Sequence, residues 1–128
     1  MFDVQFARRQ MIEQQVRAWE VLDLKVLDAL QQVPREEFVP AAYRDLAFAD
    51  TSVPLAHGQC MLPPKVEGRI LQALEQMGIE DPIVVRLDGT NADEGRRLLQ
   101  EAAKPNVHAE ATMLDGARRA VELAGAGA

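Results

Sequence analysis

One cysteine, Cys60, is all that the 128 residues contain, so an internal disulfide is excluded and a reducing compartment fits. Aromatic residues make up only 5% of the chain, and no apolar run approaches the roughly 20 residues that a membrane span needs. No block of one charge sign stands out either. Residues 1 to 77 carry 8 basic and 11 acidic side chains and residues 78 to 128 carry 6 and 9, so each part holds half of the net charge of −6. That balance disfavours nucleic acid, whose phosphates select for a basic surface. The opening "MFDVQFARRQ" has no apolar stretch for a secretory signal, which makes a cytoplasmic protein the expectation. What is present is the composition of a folded domain: 48% apolar and 27% charged residues, in a length that buries roughly two-thirds of the unfolded surface without a disulfide or metal.

Helical periodicity dominates the first part. Phe2, Phe6, Met11, Ile12, Val16 and Trp19 recur about once per turn and predict a helix over residues 4 to 18. Asp23 is a natural N-cap for a second helix with Val26, Leu27 and Leu30 on its apolar stripe, and Pro34 ends it. Five prolines between Pro34 and Pro64 predict a long ordered loop. A third helix starts at the Pro63–Pro64 pair, with Val66, Ile70, Leu71, Leu74 and Met77 as its buried face and Gly78 as its stop. The period then changes. "PIVVRL" is a β-branched run of parallel-sheet character, Thr90 or Asn91 caps the next helix, "NVHAEATM" alternates as a strand, and Thr112 with Asp115 opens a last helix. The tail "AGAGA" is expected to fray. Strand, helix, strand, helix over residues 79 to 124 implies parallel strands joined by a crossover. The arginine pairs Arg8 and Arg9, Arg96 and Arg97, and Arg118 and Arg119 all have acids nearby and are read as solvated helix faces.

Two resemblances emerge from these stretches. In "ARRQMIEQQV", "VLDLKVLDALQQVPREEFVP", "AAYRDLAFAD" and "HGQCMLPPKVEGRILQAL", residues 4 to 77 resemble the N-terminal segment of protein-L-isoaspartate O-methyltransferases. The resemblance implies a helical cap ahead of a Rossmann-like domain that binds S-adenosylmethionine through a loop with closely spaced glycines. From Gly78 onward, "DPIVVRLDGTNADEGRRLLQEA" and "NVHAEATMLDGARRAVE" resemble instead the C-terminal end of the succinyl-CoA ligase β subunit, which implies the last β-α units of a flavodoxin-like domain. The chain is thus similar to a chimera joined near residues 75 to 80, and splicing at equivalent elements inside a domain resembles deliberate recombination.

Set against those families, the candidate sites are sparse. Arg86 stands where the methyltransferase resemblance implies an acid before the glycine loop, and "DGTNADEG" offers only Gly89 and Gly95. In "GQCMLPP", Leu62 takes the place of the family's serine and Cys60 that of a threonine. Gly89, Thr90 and Asn91 form a weak anion-site candidate at a helix N-terminus, opposed by Asp88, Asp93 and Glu94. His57, Cys60 and His108 lack the spacing of a nucleophile or metal site. Arg86 in an apolar strand asks for a partner, with Glu110 the nearest by topology, or else points outward at an edge.

These observations predict a single α/β domain over residues 1 to 128, its N-terminal helical segment packed on a small parallel Rossmann-like or flavodoxin-like sheet with a βαβα second half. The expected function is that of a recombined scaffold without catalytic activity, not an enzyme, with no resident cofactor or metal and no catalytic residue. The alternatives are weak binding of S-adenosylmethionine, coenzyme A or phosphate, and a methyltransferase-like enzyme. Two strands leave two open edges, so a homodimer is expected.

Overall fold

A computed structural model describes residues 1–102 and 104–126. It resolves into two compact units, Met1–Ile79 and Glu80–Ala128, and the chain is α/β, with helices, one antiparallel strand pair and one parallel pair.

The first unit begins with α1, Val4–Met11, which Asp3 caps by accepting a hydrogen bond from the Phe6 N–H. The predicted helix continues beyond Met11 but changes pitch. A π turn at Ile12–Val16 is followed by a 3-10 turn at Arg17–Trp19, and Glu20 stops it in left-handed backbone at φ 61°. Asp23 caps α2, Leu24–Gln32, by accepting from the N–H groups of Lys25 and Val26. The proline-rich stretch holds 3-10 turns at Arg35–Phe38 and Ala41–Leu46 and a short antiparallel pair, β1 (Val53–Pro54) with β2 (Cys60–Met61). The long helix α3 spans Pro64–Met77 and ends on Gly78 at φ 58°, the left-handed stop predicted for it.

Two apolar clusters hold this unit. Val16, Val21 and Val26 pack with Leu27 and Leu30, and Val39, Ala47 and Val53 pack with Phe48 and Met61. The predicted buried face of α3 requires correction, because Ile70, Leu71, Leu74 and Met77 are 42–70% exposed. The helix is buried at Pro64 and Gly68 instead. A Cβ on Gly68 would lie 3.0 Å from Val16 Cγ1 and 3.3 Å from Val21 Cγ2. The absent side chain therefore lets the helix backbone approach the valines, and the larger apolar residues flank that contact. Gln72 fixes the same approach, accepting from the N–H groups of Leu22 and Asp23 and donating to the Glu20 carbonyl.

The second unit is β3 (Ile83–Arg86), α4 (Ala92–Ala102), β4 (Val107–Glu110) and α5 (Met113–Ala126). The strands run parallel in the register Ile83 to Val107 through Arg86 to Glu110. Thr112 caps α5 reciprocally: its hydroxyl accepts from the Asp115 N–H at 3.1 Å and donates to the Asp115 carboxylate at 2.7 Å. Val84 faces α5, close to Gly116. The last two residues of the tail expected to fray, 127 and 128, lie outside the described residues.

Candidate functional site

Two places merit a chemical description, one in each unit. In the first, the segment Leu55–Gln59 joins β1 to β2 and is closed by hydrogen bonds from the Leu55 N–H to the Gln59 carbonyl and from the Gln59 N–H to the Ala56 carbonyl. His57 at φ 59° and Gly58 at φ 71° turn the chain there through left-handed backbone. Glycine adopts this conformation freely, whereas histidine does so at some cost. His57, Gly58, Gln59, Cys60 and Leu62 are exposed, so the loop presents side chains outward on a short ladder.

What holds that loop is Arg35, only 6% exposed. Its Nε donates to the Ala47 carbonyl at 2.7 Å, Nη2 donates to the Leu62 carbonyl at 2.7 Å, and Nη1 pairs with the Glu67 carboxylate of α3. One guanidinium therefore ties the far end of the loop to the start of a helix and to the cluster around Ala47. Burial pushes the Glu67 carboxyl above its usual range, and the Arg35 charge beside it pulls the other way. Beside this pair lies an apolar cavity of about 180 Å³, walled by Met11, Leu30, Val33, Phe38, Met61 and Leu71 among others.

Arg8 plays a parallel role in the same unit. Only 3% exposed, it donates to the carbonyls of Gln31 and Val33 at 3.1 Å, makes a two-pronged pair with Glu36 at 2.6 and 2.7 Å, and lies 5.6 Å from the centre of the Phe48 ring. This corrects its assignment to a solvated face. The sign was available in the spacing, since residue 8 precedes Met11 by three and Ile12 by four and so shares their buried face. Of the other two arginine pairs, Arg97, Arg118 and Arg119 do lie on solvated faces, Arg97 reaching Glu94 and Glu101 and Arg119 reaching Glu122, whereas Arg96 is half-buried and turns to the Leu87 carbonyl.

In the second unit, the turn from β3 to α4 carries Gly89, Thr90 and Asn91. Gly89 has φ 97° and Asn91 φ 57°, so Asn91 lacks the extended backbone that an N-capping side chain uses. The Asp88 carboxylate accepts from the Gly89 N–H at 2.9 Å, taking a donor that an anion would need. Arg96 is engaged as well, donating to the Leu87 carbonyl and pairing with Asp93. Arg86 does not reach Glu110, its neighbour in the register. Its nearest acid is Asp88 at 3.8 Å and its side chain is 46% exposed, so it points outward at an edge. His108 lies on β4 with Arg119 Nη2 at 3.5 Å. Among the described residues no group of three His, Cys, Asp or Glu side chains could hold a metal ion, and no helix is long and apolar enough to cross a membrane.

A helical segment that runs on in sequence to parallel β-α units defines an α/β chain of the kind that places ligands at strand C-termini. The chain belongs to the protein-L-isoaspartate(D-aspartate) O-methyltransferase family, which matches residues 7–85. It is 38% identical over 99 residues to a protein-L-isoaspartate O-methyltransferase of Aeropyrum pernix, covering 77% of this chain and 37% of that one. A second such enzyme, from Rhodopseudomonas palustris, is 42% identical over 73 residues, covering 57% and 30%. Separately, the chain is 67% identical over 55 residues to the succinate–CoA ligase [ADP-forming] subunit beta of Rubrobacter xylanophilus, covering 43% of this chain and 14% of that one. The chain thus spans about a third of the methyltransferases it matches.

These matches support both family resemblances and overturn the expectation of a non-enzymatic scaffold without activity. Family membership rests on residues 7–85 as a whole, and the missing glycines after β3 do not remove it. The S-adenosylmethionine that the methyltransferase resemblance implies does not fit the residues present at the β3–α4 turn. β3 ends in Arg86 rather than an acid, Gly89 stands without a close glycine neighbour, and Asp88 occupies its N–H.

Proposed function

We propose that the chain serves protein isoaspartyl methyl transfer, and that its own share is recognition of the isoaspartyl-bearing peptide by the loop from Leu55 to Leu62. The observation that carries this is the Arg35 clamp. A buried guanidinium bonded to the Leu62 carbonyl, the Ala47 carbonyl and Glu67 holds an otherwise exposed loop in one geometry, and pre-ordering of that kind lowers the entropic cost of binding. The membership shown by residues 7–85 supports the choice of chemistry. Leu62 and Cys60 replace two hydroxyl side chains of the family's loop, so binding is weaker than the family's. Restoring both with Leu62→Ser and Cys60→Thr should tighten it about tenfold, the worth of one or two net hydrogen bonds. Calorimetric titration with paired peptides that differ only in an isoaspartyl or aspartyl residue tests this. Preference for the isoaspartyl peptide is expected, and equal or absent binding overturns the proposal.

The chain is also, on this proposal, a recombined product of two families. The methyltransferase match ends at residue 85, inside β3, while the ligase-like motif opens at Asp81, so β3 belongs to both patterns. A strand preceded by a helix and followed by a helix is an equivalent element in each, and a join there disturbs neither period. A shift in codon usage across codons 75 to 85 of the gene is expected, and uniform usage on both sides would count against the join.

A further inference from the structure

Within the second unit β3 and β4 pair only with each other among the described residues. On β4 the carbonyls of Asn106 and Glu110 accept from the N–H groups of Ile83 and Leu87. Alternation along the strand therefore turns the main-chain groups of Val107 and Ala109 to the outer edge. The Val107 N–H is already used, donating to the Lys104 carbonyl at 3.2 Å, which leaves the Val107 carbonyl and both groups of Ala109 facing outward. Beside this edge lies an open groove of about 500 Å³ whose lining includes His108, Glu110, Arg118 and Arg119.

We propose that this groove is the interface between two copies of the chain, formed by antiparallel pairing of β4 with β4 about a two-fold axis through Ala109. In that register the two Ala109 residues exchange both of their hydrogen bonds, and each Val107 carbonyl accepts from the Ala111 N–H of the other copy, so the occupied Val107 N–H is not needed. His108 then lies opposite Glu110 of the other copy, in the closer of the two cross-strand positions. Arg119, 3.5 Å from His108 and 3.3 Å from Glu122 of its own copy, brings a charge that it shares with Glu122 to the same acid. The two-fold repeats each contact, so the edge is complementary to itself in charge as well as in hydrogen bonding. The outer edge of β3 is not: a two-fold centred on Arg86 sets guanidinium against guanidinium, and one centred on Val84 sets Asp88 against Glu80.

Sedimentation equilibrium across a dilution series tests the interface. The whole chain should approach twice its 14.2 kDa mass at high concentration, and Ala109→Pro should stay at the single-chain mass. Proline removes only an N–H that points away from β3, so the β3–β4 ladder is kept. Two charge variants decide the matter even if that proline unfolds the unit. Glu110→Lys and Arg119→Glu should each dissociate the dimer at least about tenfold more readily, through like charges met twice. Mixed in equal amounts, they should recover the doubled mass, because the reversed charges then face each other. A wild-type mass that stays at one chain overturns the proposal. So does a dimer indifferent to both charge variants, or a mixture that fails to associate.

Discussion

Val16, Val21, Val39, Ala47 and Val53 of the first unit are fully shielded from water, whereas from residue 80 to 126 no described residue is buried. Both stretches have well-formed apolar periodicity, so the pattern does not account for the difference. In the first unit a glycine on α3 admits the helix to two valines, and two arginines satisfy the carbonyls that a proline-rich loop leaves inside. In the second, Ile83, Val84 and Val85 are only partly covered by helices on a sheet of two strands. A strand of parallel type needs neighbours on both edges and layers on both faces, and this sheet offers one neighbour to each strand. Periodicity states what a segment is able to bury, and topology decides whether there is anything to bury it against.

The largest test of this contrast is Arg35→Ala. It leaves the Ala47 and Leu62 carbonyls and the Glu67 carboxylate without their shared partner, and a broken buried pair costs about 3–5 kcal/mol. Arg96→Ala in the second unit removes a guanidinium bonded to one carbonyl and to the exposed Asp93, where a loss of about 1 kcal/mol or less is expected. Urea unfolding of the two variants should therefore differ several-fold in effect, and similar losses would erase the distinction. Next comes Gly68→Leu, which forces a branched side chain onto Val16 and Val21. Overpacking of a closed core should cost about 3 kcal/mol, read from the shift of the same transition.

A smaller effect is expected from Thr112→Ala, which removes the cap of α5 and should cost about 1 kcal/mol, confined to the melting of helical signal from the second unit. Smallest is a pH dependence. Folding holds the Glu67 carboxyl above its ordinary value of 4.5, so the folded unit binds that proton more tightly than the unfolded chain. Its contribution to stability is present below pH 4.5 and is lost as pH rises through the raised value. Stability measured over that range should carry this downward contribution with rising pH, and Glu67→Gln should remove it.

Much of this architecture is legible in the residues. Asp23, Thr112, Pro64 and Gly78 mark helix ends by mechanisms that act within a few positions, and the structure places the ends where those residues stand. The burial of Arg8 is half legible, in its spacing from Met11 and Ile12. The Arg35 clamp is not, because its partners at Ala47, Leu62 and Glu67 lie 12 to 32 residues away and local periodicity is silent about such contacts. The inward turn of Gly68 was hidden for a related reason. A stripe of Ile70, Leu71, Leu74 and Met77 dominates any apolar pattern, while a glycine contributes nothing to it even where it makes the closest approach. As for function, the family was carried by residues 4 to 77, and the loop departures at Cys60, Leu62 and Arg86 bear on how the chain takes part rather than on the class to which it belongs.

Native-state hydrogen exchange on the dilute chain, followed amide by amide, tests most directly the claim that one unit closes a core and the other does not. Amides around Val16, Val26, Val39 and Val53 should exchange slowest, as expected where opening requires exposure of a packed cluster. Those of β3 and β4 should exchange many times faster at concentrations where the chain is single. Equal protection of the two sets under those conditions would contradict the account.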